Sequence, residues 1–171
     1  LAVGAYRHDS YYGWFSLYNL IDFSPSATTQ SVTVTEQVAS NITLAGTDPD
    51  GSTPTVYKII SLPSNGTLSD NGTVIASGDL PKTTNSATVV YTSNSDAATS
   101  DSFTFKVNDG TVDSAAATVS ITITGVNDTP VATAQSVTVT EQVASNITLA
   151  GTDPDGSTPT VYKIISLPSN G

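Results

Sequence analysis

The 171-residue sequence predicts an all-β fold, a Greek-key β-sandwich that is repeated in tandem with a period of 105 residues. Three observations lead to this prediction. Several segments alternate apolar and polar residues with the period of two that a half-buried strand requires, and turn-forming dipeptides separate these segments. In addition, one segment of 37 residues occurs twice without a change.

The duplicated segment sets the domain organisation. Residues 30–66 recur as residues 135–171. A period of about 105 residues is too long for one unit of a solenoid and fits a string of whole domains. We therefore expect an aromatic leader at 1–24, a complete repeat at 25–129 and the first strands of a next, truncated repeat at 130–171, the whole being part of a longer array.

The alternation of apolar and polar residues predicts the strands of the complete repeat. This alternation is clearest at 31–36, 102–108 and 118–124, and further strands are predicted at 41–44, 55–62, 66–69, 73–76 and 87–92. Three dipeptides reverse the chain by a positive φ, namely Asn65-Gly66, Asn71-Gly72 and Asp109-Gly110. Seven or eight short strands in about 105 residues predict a sandwich of the immunoglobulin type. Its core is expected to include Phe103, Phe105, Val107, Val119, Ile121 and Ile123.

Composition excludes several classes of function. The net charge is −10, whereas nucleic acids and anionic membranes attract clustered Lys or Arg. The sequence has no cysteine, and no apolar run approaches the roughly 18–20 residues of a membrane span. Its single histidine, His8, lies in the leader, and no nucleophile motif or Gly-rich phosphate loop accompanies it. We therefore expect no enzyme, no nucleic-acid partner and no membrane span in this segment.

Oxygen-bearing side chains concentrate at strand ends and in the linker after the repeat. Such positions form the two poles of a sandwich, where carboxylates repel one another unless a cation neutralises them. Ca²⁺ fits flexible sites of carboxylate, amide and carbonyl oxygens better than Mg²⁺ does. The alternative is that the same residues only form turns. The residues concerned are Glu36, Asp48, Asp50, Asp109, Asn127 and Asp128.

A family resemblance rests on these motifs. VTE at 34–36, GTDPDG at 46–51, VYKI at 56–59, FKVNDG at 105–110 and GVNDTP at 125–130 together resemble the tandem cadherin-like/Ig-like repeats of large bacterial surface adhesins. That resemblance implies extended rods on secreted or surface-attached proteins, with Ca²⁺ bound between domains. It also implies a ligand set at the junction, formed by Glu36, Asn127, Asp128, Asp153 and Asp155, and a half-site at the other pole, formed by Asp48, Asp50 and Asp109.

The sequence departs from the family pattern at the expected ligands. Gln37 and Ser52 stand where many relatives carry a further acid. The cadherin acid-x-Glu element has no clear match, and Asp101 or Asp96 is only a stand-in for it. We therefore expect fewer protein ligands for each ion, more water and weaker affinity than at a full cadherin junction.

The leader differs in kind from the repeats. It holds seven of the chain's twelve aromatic residues. Residues 1–20 weakly resemble a segment of the FG-GAP β-propeller family. The alternatives are a strand pair that packs on the first repeat and an aromatic surface for glycan stacking.

The leading functional hypothesis is a non-catalytic, extracellular or cell-surface module, a Ca²⁺-stiffened spacer or stalk of a long bacterial adhesin. Its partners are the neighbouring repeats of the chain, and other domains bind the cell-surface or glycan ligand. One alternative is a self-assembling filament subunit, joined to other copies by β-strand complementation. Another alternative is an accessory module of a secreted enzyme.

Overall fold

A computed structural model describes residues 23–49, 51 and 53–169 of the chain. These residues form short strands and one 3-10 helix, Ser77–Asp79. No helix in this described part is long and apolar enough to cross a membrane. The strands are β1 Ser26–Ala27, β2 Gln30–Thr35, β3 Ser40–Thr43, β4 Gly46–Thr47, β5 Val56–Ser61, β6 Gly66–Asp70, β7 Thr73–Val74, β8 Lys82–Thr83, β9 Thr88–Ser93, β10 Ser100–Asn108, β11 Ala117–Thr124, β12 Val131–Ala132 and β13 Gly151–Thr152.

Two sheets form the sandwich of the complete repeat. One has the strand order β2-β11-β10-β5-β8 and the other the order β3-β9-β6-β7. The first strand, β2, pairs in parallel with the last strand, β11, while the other ladders of both sheets are antiparallel. This arrangement confirms the predicted all-β, Ig-like sandwich.

The alternating sequences place the core where the pattern predicts it. In β10 and β11 the predicted inward residues are at most 3 % exposed, and Phe103 lies opposite Val119 in the ladder. Residues between them, such as Ser120 and Thr122, face solvent. The opposite sheet contributes Ile42, Leu68, Val89 and Tyr91 to the same core.

Two of the three predicted turns are present. Asn71 and Gly72 have φ values of 48° and 79° between β6 and β7, and Gly110 has a φ of 114° after β10. The positive φ predicted for Asn65-Gly66 is wrong, because neither residue has one. Gly66 begins β6, as the predicted strand at 66–69 requires, and pairs with Ser93. A Cβ atom on Gly66 would lie 2.3–2.5 Å from the ring of Tyr91, so this glycine permits a close approach.

The second copy forms much less regular structure. Within residues 130–169 the assigned strands are the short pair β12 and β13, which match β1 and β4 in register. The apolar side chains that form the core of the first copy are exposed here, with Ile164 at 62 % and its counterpart Ile59 at 0 %.

Candidate metal centre between the repeats

Glu36 is a buried acid at the end of β2. The alternation that turns Val34 inward also turns Glu36 inward, and its side chain is only 3 % exposed. One carboxylate oxygen, Oε1, accepts a 2.6 Å hydrogen bond from the amide of Val126 at the start of the linker. The other oxygen, Oε2, is buried and has no hydrogen-bond partner. A buried carboxylate oxygen without a partner is costly unless a donor or a cation satisfies it.

Two further carboxylates come close to Glu36. One oxygen each of Glu36, Asp128 and Asp155 lie within 4.8 Å of one another. The linker residue Asp128 is tied to the second copy, because its amide donates a 2.9 Å hydrogen bond to Oδ2 of Asp155. The group therefore combines the end of a strand, the linker and the next repeat.

A tight turn presents Asp155. The amide of Asp155 donates to Oδ1 of Asp153 at 3.0 Å, and Gly156 closes the turn with a φ of 79° and a 3.1 Å hydrogen bond to the carbonyl of Asp153. The second oxygen of Asp153 accepts from the hydroxyl of Ser157 at 3.0 Å. Asp153 thus shapes the loop, and Asp155 carries its carboxylate toward the linker.

Charge accumulates at this junction. The pKa of Asp128 is raised, first by burial and then by the negative charges of Asp155, Asp96, Glu36 and Asp153. Like charges that crowd one carboxyl group favour its protonated form, and a bound cation removes the same penalty. The arrangement can therefore accept a hard cation or a proton.

Asp96 and Gln37 extend the junction. Asp96 lies in the loop between β9 and β10, and the side-chain amide of Gln37 donates a hydrogen bond to its Oδ1. The sequence had marked Gln37 only as a lost ligand, whereas the structure shows that it holds a carboxylate at the junction. The other stand-in, Asp101, instead accepts hydrogen bonds from Ser64, Asn65 and the hydroxyl of Tyr91. No sequence signal distinguished these two aspartates, because the distinction depends on which loop faces the linker.

Asn127 does not join the three-carboxylate group. Its side chain is exposed, and its Nδ2 donates a 3.0 Å hydrogen bond to the carbonyl of Asp128. In this arrangement Asn127 stabilises the linker, and its amide oxygen is the atom that remains to face a cation.

The opposite pole is organised as a turn. Oδ1 of Asp109 accepts from the amides of Thr111 and Val112 at 2.7 and 2.9 Å, and these bonds lower the pKa of Asp109. Its Oδ2 is buried and has no hydrogen-bond partner, as at Glu36. Among the described residues, three acids come together at the junction and not at this opposite pole. Asp48 begins a turn through the 3.1 Å bond from the amide of Gly51 to its carbonyl.

Some predicted residues lie outside the described part of the chain. They are Asp50 of the half-site, Ser52, and the leader up to residue 22, on which the propeller resemblance rests.

Comparison with known proteins agrees with the fold. Residues 22–122 match the family described as bacterial Ig domain. A curated relative, the integrin beta-like protein A of Dictyostelium discoideum, is 36% identical over 113 residues, which is 63% of this chain and 6% of that protein. The chain therefore spans only a small part of that relative. Because the family match covers more than half of the chain and the described strands form the sandwich it requires, the chain belongs to the bacterial Ig domain family.

Proposed function

We propose that this chain is a non-catalytic, extracellular spacer of a bacterial surface adhesin, in which Ca²⁺ stiffens the junction between consecutive Ig-like repeats. The observation that carries the proposal is the buried, unpartnered Oε2 of Glu36 beside the carboxylates of Asp128 and Asp155. A cation at this point would satisfy that oxygen and neutralise the three charges.

The donor set favours Ca²⁺ over Mg²⁺. The candidate ligands are carboxylate oxygens from separate segments, with Asp96, Asp153 and Asn127 nearby. Ca²⁺ accepts six to eight oxygen ligands in flexible geometry, whereas Mg²⁺ requires a near-ideal octahedron and retains its waters. Three protein carboxylates leave several positions for water, which supports the expected weak affinity.

The mechanical consequence follows from the origin of the ligands. Glu36 belongs to the first repeat, Asp128 to the linker and Asp155 to the next repeat, so one ion would tie three segments together. A linker that is fixed at both ends resists bending, and a string of such modules projects a distal binding domain away from the cell. A surface location is also supported by the similarity to the integrin beta-like protein.

The test is a thermal melt and a calorimetric titration in EDTA, Ca²⁺ and Mg²⁺. Ca²⁺ at about 100 times its Kd is expected to add about 2.7 kcal/mol. For a domain of about 100 residues this corresponds to a rise of about 10–20 °C in Tm. Mg²⁺ is expected to give a much smaller rise.

The duplication supplies a matched control. Glu36→Gln retains an acceptor for the Val126 amide and removes the charge, whereas Glu141→Gln makes the same change at the exposed counterpart. We expect the first variant to lose the Ca²⁺ response and the second to retain it. If neither the parent nor Glu141→Gln responds to Ca²⁺ while both remain folded, the acids are turn formers and the calcium proposal is wrong.

A second candidate function is a filament joined by β-strand complementation. The exposed apolar side chains of residues 131–167 favour it. Strands from another chain could pair with the backbone of this segment and bury those side chains. Mass measured by light scattering across a hundredfold range of concentration tests it. A constant monomer mass excludes this candidate.

A further inference from the structure

The tripeptide Asn-Gly-Thr occurs twice within the complete repeat, at residues 65–67 and at residues 71–73. An asparagine that precedes a glycine is chemically reactive, because the next backbone nitrogen can attack the side-chain amide and glycine leaves that nitrogen unhindered. Since the two tripeptides have the same sequence, a difference between their reactivities in the folded chain comes from the structure around them.

Hydrogen bonds hold the first tripeptide in place. Nδ2 of Asn65 donates a 3.1 Å hydrogen bond to the carbonyl of Ser100, and the backbone amide of Asn65 donates a 2.9 Å hydrogen bond to Oδ2 of Asp101. The carbonyl of Asn65 accepts from the amide of Asn94 at 3.0 Å. Gly66 is already part of β6. The side chain of Asn65 therefore reaches the backbone nitrogen of Gly66 only after several of these bonds have opened.

The second tripeptide begins at the tip of the β6–β7 hairpin. Asn71 and Gly72 join the two strands with φ values of 48° and 79°, and both residues are exposed. Among the described residues, none forms a hydrogen bond with the side chain of Asn71. A Cβ atom on Gly72 would meet no atom within 4 Å beyond its chain neighbours, so the space around this residue is open. The side chain of Asn71 is therefore free to turn toward the backbone nitrogen of Gly72.

We propose that Asn71 is a site of self-modification, where the chain converts this asparagine to aspartate and isoaspartate. The backbone nitrogen of Gly72 loses its proton and bonds to Cγ of Asn71, and Nδ2 leaves as ammonia. Water then opens the five-membered succinimide ring. Cleavage between the ring nitrogen and Cγ gives aspartate, whereas cleavage between the ring nitrogen and the backbone carbonyl carbon gives isoaspartate. Water is the co-reactant, and no group is oxidised or reduced.

Isoaspartate does not fit this hairpin. Its main chain runs through Cβ and Cγ and is therefore one atom longer than that of asparagine. The turn has two residues, and the ladder next to it pairs Asp70 with Thr73 and Ser69 with Val74. A two-residue turn joins its strands only with a specific backbone geometry. The additional atom is therefore expected to open the β6–β7 ladder.

The residues on both sides of this hairpin are buried. Ile75 directly follows β7, is only 3 % exposed and donates a 2.9 Å hydrogen bond from its amide to the carbonyl of Leu68. Asp70 is also 3 % exposed, and its Oδ2 accepts hydrogen bonds from the backbone amide and the side-chain amide of Asn85. A change in the β6–β7 register displaces both buried residues, so the stability of the sandwich is expected to fall.

The modification does not depend on the proposed calcium site. Gly66, the first residue of β6, pairs with Ser93, and the loop that follows β9 carries Asp96 of the junction. Asn71 comes after the last residue of β6 and therefore lies at the opposite pole of the sandwich. The inference thus goes beyond the proposed spacer function and requires no cation.

The whole chain tests whether the structure selects Asn71. It is incubated in EDTA at mildly alkaline pH, once folded and once in concentrated guanidinium chloride. Cleavage after Lys58 and Lys82 releases the peptide 59–82, whose fragment-ion masses assign each conversion to Asn65 or Asn71. In the folded chain Asn71 is expected to convert at least about tenfold faster than Asn65, which must first lose its hydrogen bonds. In guanidinium chloride we expect equal rates.

Three results would overturn the proposal. Equal rates at Asn65 and Asn71 in the folded chain would mean that the structure does not select the site. Conversion of Asn71 only in guanidinium chloride would mean that the hairpin protects this residue. Aspartate without isoaspartate at position 71 would mean that water attacks the side chain directly, without ring closure.

A variant separates the effects of the two products. Asn71→Asp carries the aspartate product, and because aspartate tolerates a left-handed backbone, this variant is expected to melt like the parent. Incubated parent chain, enriched in isoaspartate by anion exchange, is expected to have a Tm about 4–8 °C lower. If this fraction melts like Asn71→Asp, the opening of the hairpin by isoaspartate is wrong.

Discussion

Residues 30–61 and 135–166 have one sequence and two structures. The first segment forms β2, β3, β4 and β5, and it buries Val34, Ile42 and Ile59. The second forms the short strand β13 and exposes the same side chains. Since every local preference is identical, the difference comes from the partner strands. Strand formation in this chain therefore depends on non-local pairing more than on local propensity.

Turns behave differently from strands in the same comparison. The hydrogen bonds from Gly51 to Asp48 and from Gly156 to Asp153 are both 3.1 Å, and β12–β13 repeats the register of β1–β4. Each turn closes over four residues, and each two-stranded ladder joins two segments of one repeat. They form in both copies because their partners are contained in the copy itself.

The largest expected effect comes from a change in a strand that pairs with the first copy. Phe105 is fully buried in β10, which pairs with β5 and β11. Phe105→Ala is expected to destabilise the sandwich by about 3–5 kcal/mol through lost burial and a cavity. Ile164→Ala, in the exposed copy, is expected to change stability by less than about 0.5 kcal/mol. Urea denaturation followed by fluorescence measures both free energies of unfolding. Comparable losses of stability in the two variants would mean that the second copy packs as tightly as the first.

A smaller effect is expected at Asp101 in β10, which holds residues 64 and 65 at the end of the first copy. The hydroxyl of Tyr91 donates a 2.9 Å hydrogen bond to Asp101, which also accepts from the amides of Ser64 and Asn65. Tyr91→Phe removes one donor and leaves Asp101 its backbone donors, so a loss of about 1–2 kcal/mol is expected. Asp101→Asn weakens the same three contacts and serves as the second variant. A Tyr91→Phe chain with unchanged stability would show that the backbone amides alone hold the end of the first copy.

The pH dependence should distinguish the junction from the opposite pole. The pKa of Asp128 is raised, so above pH 3.8 the folded state of an EDTA-treated chain binds more protons than the unfolded state. Stability is therefore expected to rise as the pH falls from 7 toward about 4.5. The amides of Val112 and Thr111 lower the pKa of Asp109, and a hydrogen bond from Lys58 lowers the pKa of Asp113 in the same loop. The contributions of these two carboxylates are therefore lost only below 3.8, as the pH falls through their folded values.

Calcium is expected to reverse the first of these trends. Protons compete with the metal for the same oxygens, so acidification in Ca²⁺ should lower the Tm over the range in which it raises the Tm in EDTA. Asp128→Asn should remove the rise seen in EDTA. The same slope in both buffers would mean that no cation binds near Asp128.

The sequence predicted the sandwich well for a physical reason. Alternation along 102–108 and 118–124 reports which face is buried, and the structure places Phe103 and Val119 together on that face. Gly66 was misread because its small size serves the ring of Tyr91, a contact between residues 25 positions apart in sequence. Similarly, Asp96 could not be separated from Asp101, since loop placement at the junction depends on the whole sheet order.

The smallest expected effect concerns the two glutamines with positive φ. Gln37→Gly and Gln142→Gly each relieve a left-handed backbone and each add flexibility to the unfolded chain, so a net change within about 0.5 kcal/mol is expected for both. Only Gln37 donates a hydrogen bond to Asp96. Gln37→Gly should therefore raise the Kd for Ca²⁺ severalfold, as measured by calorimetry, while Gln142→Gly leaves it unchanged. Equal Ca²⁺ affinities of Gln37→Gly and Gln142→Gly would mean that Asp96 stays at the junction without the side-chain amide of Gln37. The backbone of the β9–β10 loop alone would then position this carboxylate.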